Sequence, residues 1–232
     1  SVSLVDASRI AQAGATVVVM PDPSKAFAVD GVGEVTMTPR PARFLTIEAA
    51  PFAVVEDGAD VGESALPLSR AAIDFSTAPQ MAIRFRVSRR DQKDFQDQAD
   101  AIMTAITLGL ARAADATLLA AITAAIPAAF SLAAAAEKGL RFDELRALVG
   151  TAGAGAAVSQ DGKLRVAGVA AELTADTAAT FVGAFSRSAV AVHEAIDVVA
   201  ERTSVAGDLV VTCWANMQAL LPNAGMFFKV SA

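Results

Sequence analysis

Few residues in this chain could do chemistry. His193 is the only histidine and Cys213 the only cysteine among 232 residues. A hydrolytic triad would have to use His193, which lies in the alternating stretch AVAVHEAIDVV, and no G-x-S-x-G elbow supplies it with a nucleophile. One Cys and one His cannot build a Cys/His metal cluster, and a lone cysteine closes no disulfide within the chain. GTAGAGAA follows a helical pattern and completes no G-x-G-x-x-G, so it reads as a loop and not as a dinucleotide turn. DGKL lacks both the upstream glycine and the Ser/Thr of a phosphate loop. The carboxylate pairs Glu56/Asp57, Asp143/Glu144 and Glu194/Asp197 sit beside turns or on element surfaces, where solvated charge accounts for them. Cys213, inside LVVTCWA, reads as a small buried apolar side chain. The expectation is a chain with no active site, no cofactor and no metal, and not an enzyme.

Composition narrows the class from the other side. The net charge is −6 and the pI about 4.8, with 54% of residues hydrophobic. A sequence-reading nucleic-acid binder would be basic. A coat that encloses nucleic acid without gripping it is compatible with this balance. The chain starts at Ser1 without a signal-peptide pattern, which reads as a trimmed or proteolytically cut start. The uncharged run Leu118–Ala136 is more than half alanine, carries Pro127 near its middle and has no aromatic belt, so it is not read as a membrane span.

The elements that must position these residues follow from pattern. Residues 1–43 read as an extended arm: Pro21, Pro23, Pro39 and Pro41 favour extended backbone, and no core-helix periodicity is present. Residues 44–88 read as a long β-hairpin. Its descending side ends in QMAIRFRVS, where Met81, Ile83, Phe85 and Val87 alternate with Ala82, Arg84, Arg86 and Ser88. An isolated two-stranded hairpin is marginal in water, so a neighbouring subunit is its natural support. Residues 89–122 read as one long helix, with Ser88 and Asp91 as its capping box. Its apolar face comprises Phe95, Ala99, Ile102, Met103, Ile106, Leu110 and Ala113. Leu118, Leu119 and Ile122 finish it. EKGLRFDELRALVG reads as an amphipathic helix through Phe142, Leu145, Leu148 and Val149, GTAGAGAAVSQDGK as a flexible loop, and the remainder as β-rich. Arg86, Arg89 and Arg90 form a basic cluster at the hairpin–helix junction, suited to pairing with carboxylates of the same or an adjacent chain.

This order of elements resembles the major capsid proteins of tailed bacteriophages, the Hong Kong 97-type capsid fold. The likeness runs over about residues 45–232. It is carried by Glu63 in the loop tip, Ile73–Phe75, Ser88-Arg89 opening the helix, Asp115 with Leu118-Leu119 near its end, and the closing CWANMQALLPNAGMFFKV.

The resemblance implies an α+β subunit with an N-terminal arm (1–43), an extended loop (44–88), a peripheral domain with the spine helix (89–137 and 189–220) and an axial domain (138–188 and 221–232). It implies a homo-oligomer of pentamers and hexamers closing an icosahedral shell, a virion protein assembled in the host bacterial cytoplasm. The shell would enclose double-stranded DNA without sequence-specific binding, with portal, scaffold/protease and decoration proteins as further partners and no membrane. The subunit-interface candidates are Glu63, Leu66, Leu68, Arg70, Arg86, Arg89 and Arg90. Some members crosslink a loop lysine to a neighbour's asparagine, promoted by a glutamate. Here no lysine lies between Lys25 and Lys93, and Trp214 follows Cys213 where that glutamate would stand, so no isopeptide crosslink is expected. A bacterial encapsulin shell has the same fold but usually begins with a helix, and the extended reading of 1–43 favours a phage. A tail or baseplate protein is the other alternative, against which the long helix argues.

Overall fold

The computed structural model describes residues 2–23, 25–29, 35–39, 42–94, 97–202 and 205–231. The chain opens with two short helices, α1 (Leu4–Ala7) and α2 (Arg9–Gln12), then strand β1 (Thr16–Met20). Two hairpins follow: β2 (Lys25–Val29) with β3 (Val35–Pro39), and β4 (Ala42–Ile47) with β5 (Leu68–Ile73). Strand β6 (Gln80–Val87) leads into α3 (Arg89–Asp94) and the long α4 (Gln98–Ala124). Next come β7 (Ala128–Ala129), α5 (Leu132–Glu137), a 3-10 turn at Phe142–Glu144, β8 (Arg146–Val149), β9 (Ala156–Val158), β10 (Leu164–Val166), β11 (Val169–Leu173) and β12 (Thr180–Gly183). The chain closes with β13 (Ala189–His193), β14 (Asp197–Arg202), β15 (Leu209–Leu220) and β16 (Phe227–Val230).

Two sheets organise these elements. The first has the path β1-β13-β15-β14, with β6 also paired to β15. Twelve-residue β15 makes this possible. Its first half lies between β6 and β14, and its second half pairs with β13. The second sheet runs β7-β16-β12-β8-β11-β10-β9. Helix α4 packs on the first sheet, and one core of Leu118, Leu119, Ile122, Leu148, Phe181, Phe185, Met217 and Phe227 joins the helix to both sheets. By length and composition α4 could cross a membrane. Its buried residues instead pack inside the subunit: Ala114, Leu118, Leu119 and Ile122 in this core, and Ile106 against Val211 and Cys213 of β15.

Several elements depart from their sequence pattern. Residues 4–20 are not an arm without core character: Ser8 and Ile10 are fully buried, and β1 is a parallel edge strand beside β13. Four-residue helices leave too short a stretch for helical periodicity to show. The expected hairpin 44–88 divides. β4 pairs with β5, whereas QMAIRFRV joins β15 from the other end of the chain. Period two identifies a strand but not its partner. The helix expected over 89–122 is α3 followed by α4. The Ser88–Asp91 box is present, with the Asp91 amide donating to Ser88 Oγ at 3.1 Å and the Ser88 amide to Asp91 at 3.3 Å. Phe95 lies outside the described residues. Ala99 and Met103 are exposed, because burial passes to the C-terminal half of α4. EKGLRFDELRALVG is a 3-10 turn leading into β8, not a helix; Leu145, Leu148 and Val149 are nevertheless buried. The loop expected over GTAGAGAAVSQDGK contains β9. The run Leu118–Ala136 ends α4, forms β7 and enters α5.

Candidate functional site

The most distinctive surface is the hairpin β4–β5 and the twenty residues, 48–67, that join its strands without regular structure. Phe52 is 100% and Val54 103% exposed, Val61 73% and Leu66 69%. This segment has five acids (Glu48, Glu56, Asp57, Asp60, Glu63) and no Lys or Arg. Exposed apolar residues grouped in this way make the segment a candidate interaction surface. Glu63 and Leu66 lie in this loop, Leu68 opens β5 opposite Ile47, and Arg70 faces solvent opposite Leu45.

The root of the hairpin is tied to the body of the subunit. Phe75 is buried, packs with Ala189, Ala191 and Leu220, and meets the His193 ring edge-on at 4.9 Å. The Gln218 side-chain amide acts like a short piece of ladder: its Oε1 accepts from the Asp74 amide at 2.7 Å and its Nε2 donates to the Ala72 carbonyl at 3.0 Å. At the other, loop-side end of the strands, beyond the Ile47–Leu68 pair, Glu48 accepts from Asn223 Nδ2 at 2.6 Å and from Ser69 Oγ at 3.2 Å. The paired strands are therefore tied to the body at both ends, and the loop beyond Glu48 stands bare. The Gln218 and Asn223 ties escaped sequence reasoning, since they join residues more than 140 positions apart and leave no local pattern.

The arginine cluster is partly assembled. Arg86 lies 3.6 Å from Asp208, and the Arg89 backbone amide donates to the same carboxylate at 3.2 Å. Arg84 lies 3.9 Å from Glu201. Arg90 is exposed on α3. Asp208 thus collects Arg86 and Arg89 within one chain, while Glu63, Leu66, Leu68 and Arg70 stand apart on the hairpin.

Potentially chemical side chains are occupied structurally. Asp115, 1% exposed on α4, accepts from Ser8 Oγ at 2.6 Å, the Arg9 amide at 2.9 Å and the Ile10 amide at 3.2 Å. It caps α2 from outside, a role signalled in the sequence only by an acid standing on the apolar face beside Leu118 and Leu119. Burial pushes its carboxyl pKa above the ordinary value, against the lowering effect of those three donors. Burial, with a smaller effect from Asp197, pushes the Cys213 thiol up, away from the reactive thiolate. His193 stacks on Phe75 and lies 3.4 Å from the exposed Asp22. Asp161 is held well below the usual carboxylate range by Ser159, the Lys163 amide and Arg165, all within one turn. No group of three His, Cys, Asp or Glu among the described residues could hold a metal ion.

No protein-family model matches the chain, and no curated protein matches it in sequence. Solved structures do. The capsid of a native GTA particle is 14% identical, with a TM-score of 0.55 over 100% of this chain and 92% of that one. A virus-like particle from Pyrococcus furiosus is 12% identical, with a TM-score of 0.52 over 98% and 94%. The procapsid of satellite phage P4, which includes its size determination protein, is 11% identical, with a TM-score of 0.51 over 98% and 96%. The chain has the capsid fold of these particles, the fold that its resemblance to tailed-phage capsid proteins implies.

Proposed function

We propose that this chain is the major capsid protein of a tailed phage, a structural and non-catalytic subunit that closes an icosahedral shell around double-stranded DNA. The observation that carries the reading is the hairpin, anchored at both ends of its strands and bare in its apolar, acidic loop, in a subunit with a capsid fold. Such a loop is stable only when a neighbour covers it. In this reading the sheet built on β13 and β15, with α4, is the peripheral domain, and the sheet built on β8 and β12 is the axial domain. Glu63, Leu66, Leu68 and Arg70 form one side of the subunit contact and Arg86, Arg89 and Arg90 the other. The shell is held by repeated non-covalent interfaces, and its acidic subunits enclose the genome without tight binding. Pentamers, hexamers, a portal and a scaffold or protease belong to the same reading.

A second reading, an encapsulin-type compartment shell, is favoured by one observation. Leu4–Ala7 and Arg9–Gln12 are helical, which removes the argument drawn from an extended 1–43, and the Pyrococcus furiosus particle shares the fold. Electron microscopy of the purified protein tests the shared claim: closed icosahedral particles are expected, and a monomer at all concentrations refutes it. Particles recovered from the native source distinguish the two readings by content, genomic DNA for a phage head and protein cargo for a compartment.

A further inference from the structure

Between α4, β6 and β15 lies an apolar groove of about 430 Å³. Ala105, Ile106, Gly109 and Leu110 of α4 form one wall, Met81, Ile83 and Phe85 of β6 the other, and Cys213 of β15 lies between them. Two features of the groove have no purpose within the chain. Ile83 is 54% exposed although it lies on the inward-alternating face of its strand. Gly109 stands in the middle of a 27-residue helix, and a Cβ built there meets nothing within 4 Å. Glycine is the poorest helix former after proline, and no intrachain contact requires it here. Its lack of a side chain keeps the groove deep. Among the described residues β6 pairs with β15 and with no other strand, so its outer edge is open.

The loop contains a complementary segment. Phe52-Ala53-Val54-Val55 is rich in strand-forming residues and lies in no strand. Phe52, Val54 and Glu56 share one face at period two, and Phe52 and Val54 are bare. Val55 and Asp57 share the other face. On β6, Ile83 and Phe85 share the groove face, and Arg84 and Arg86 the opposite one.

We propose that residues 52–57 of one copy add as a strand to the free edge of β6 in a second copy. Phe52 and Val54 fill the groove, and Asp57 comes beside Arg84 and Arg86 on the far face. This is β-strand addition, in which backbone pairing supplies affinity and alternate side chains supply specificity. The loop's lack of cations and the arginines bordering β6 set the partner as another copy of this chain. The proposal rests on the self-association proposed above and specifies its contact.

The test uses full-length protein carrying Cys213→Ala, Val54→Cys and Ile83→Cys, assembled and mildly oxidised. Disulfide-linked multimers on a non-reducing gel are expected, and none from the control pair Val54→Cys with Val158→Cys on distant β9. Gly109→Leu, whose Cβ meets nothing within the chain and whose side chain fills the groove, should raise the concentration needed for assembly about tenfold or more without lowering the thermal midpoint of the isolated subunit. If wild-type particles form but the Val54/Ile83 pair stays monomeric, or the control pair links equally well, strand addition is overturned and the shell reading stands. If Gly109→Leu assembles at the wild-type concentration, the groove is not the seat. If wild-type protein never self-associates, both readings fall.

Discussion

Removing the Asp115 carboxylate tests how the N-terminal segment is held. In Asp115→Ala the buried Ser8 hydroxyl and Ile10 amide lose their acceptor, at about 1–3 kcal/mol each, while the Arg9 amide at the surface edge can turn to water. Loss of a desolvated charge returns part of this, which leaves a net cost of about 3 kcal/mol. For a chain of this size that is a fall of about 6–12 °C in thermal midpoint. Asp115→Asn keeps one acceptor oxygen but points an NH2 group at an amide donor, and should cost about 2 kcal/mol. The sign of the pH dependence follows from the raised pKa. The folded protein binds the Asp115 proton more tightly than the unfolded chain does. The group's contribution is therefore fully present below the unfolded value and is lost as pH rises through the folded one. The wild-type advantage over Asp115→Asn should widen on acidification from neutral pH. Denaturant unfolding of the subunit measures the cost, and amide exchange over residues 8–20 locates it. A loss below about 0.5 kcal/mol for Asp115→Ala, a surface-like value, would refute the argument. So would full additivity with Ser8→Ala in a double-mutant cycle.

Three further outcomes are expected. Gly150→Ala drives a Cβ into the Ala179 carbonyl oxygen and should cost about 3 kcal/mol, whereas Gly109→Ala meets nothing and should gain up to about 1 kcal/mol; paired thermal melts compare them. Arg70→Glu and Leu66→Asp, both on exposed positions, should change subunit stability by no more than about 0.5 kcal/mol yet impair particle formation in sedimentation velocity. Mature wild-type particles should run as a single monomer band on a denaturing gel, because no lysine lies between Lys25 and Lys93, and a ladder would contradict this.

Patterns within about ten residues of one another were legible in the sequence. The period-two alternation of Met81–Val87, the Ser88–Asp91 box and the apolar finish of α4 at Leu118, Leu119 and Ile122 all correspond to observed elements. Pairing was not legible, because alternation is the same whether β6 meets β5 or β15. Leu145, Leu148 and Val149 fit a helical face and a buried strand equally well, and here the strand β8, covered by β11 and β12, prevails. At the candidate surface the loop residues Glu63 and Leu66 came only with the family resemblance, and the structure places both in the exposed loop. The groove opposite was not legible, since it is assembled from β6, α4 and β15.

The pairing of β6 with β15 also sets an order of events in synthesis. Residues 80–87 wait for 209–216, and 16–20 wait for 189–193, so the first sheet cannot form until residue 216 has left the ribosome. Closing such long loops is entropically costly and slow relative to local structure. Until then the edge of β6 and the groove beside it do not exist as a surface. A nascent chain therefore offers the loop tips of finished subunits no place to dock, and timing alone keeps incomplete copies out of the growing assembly.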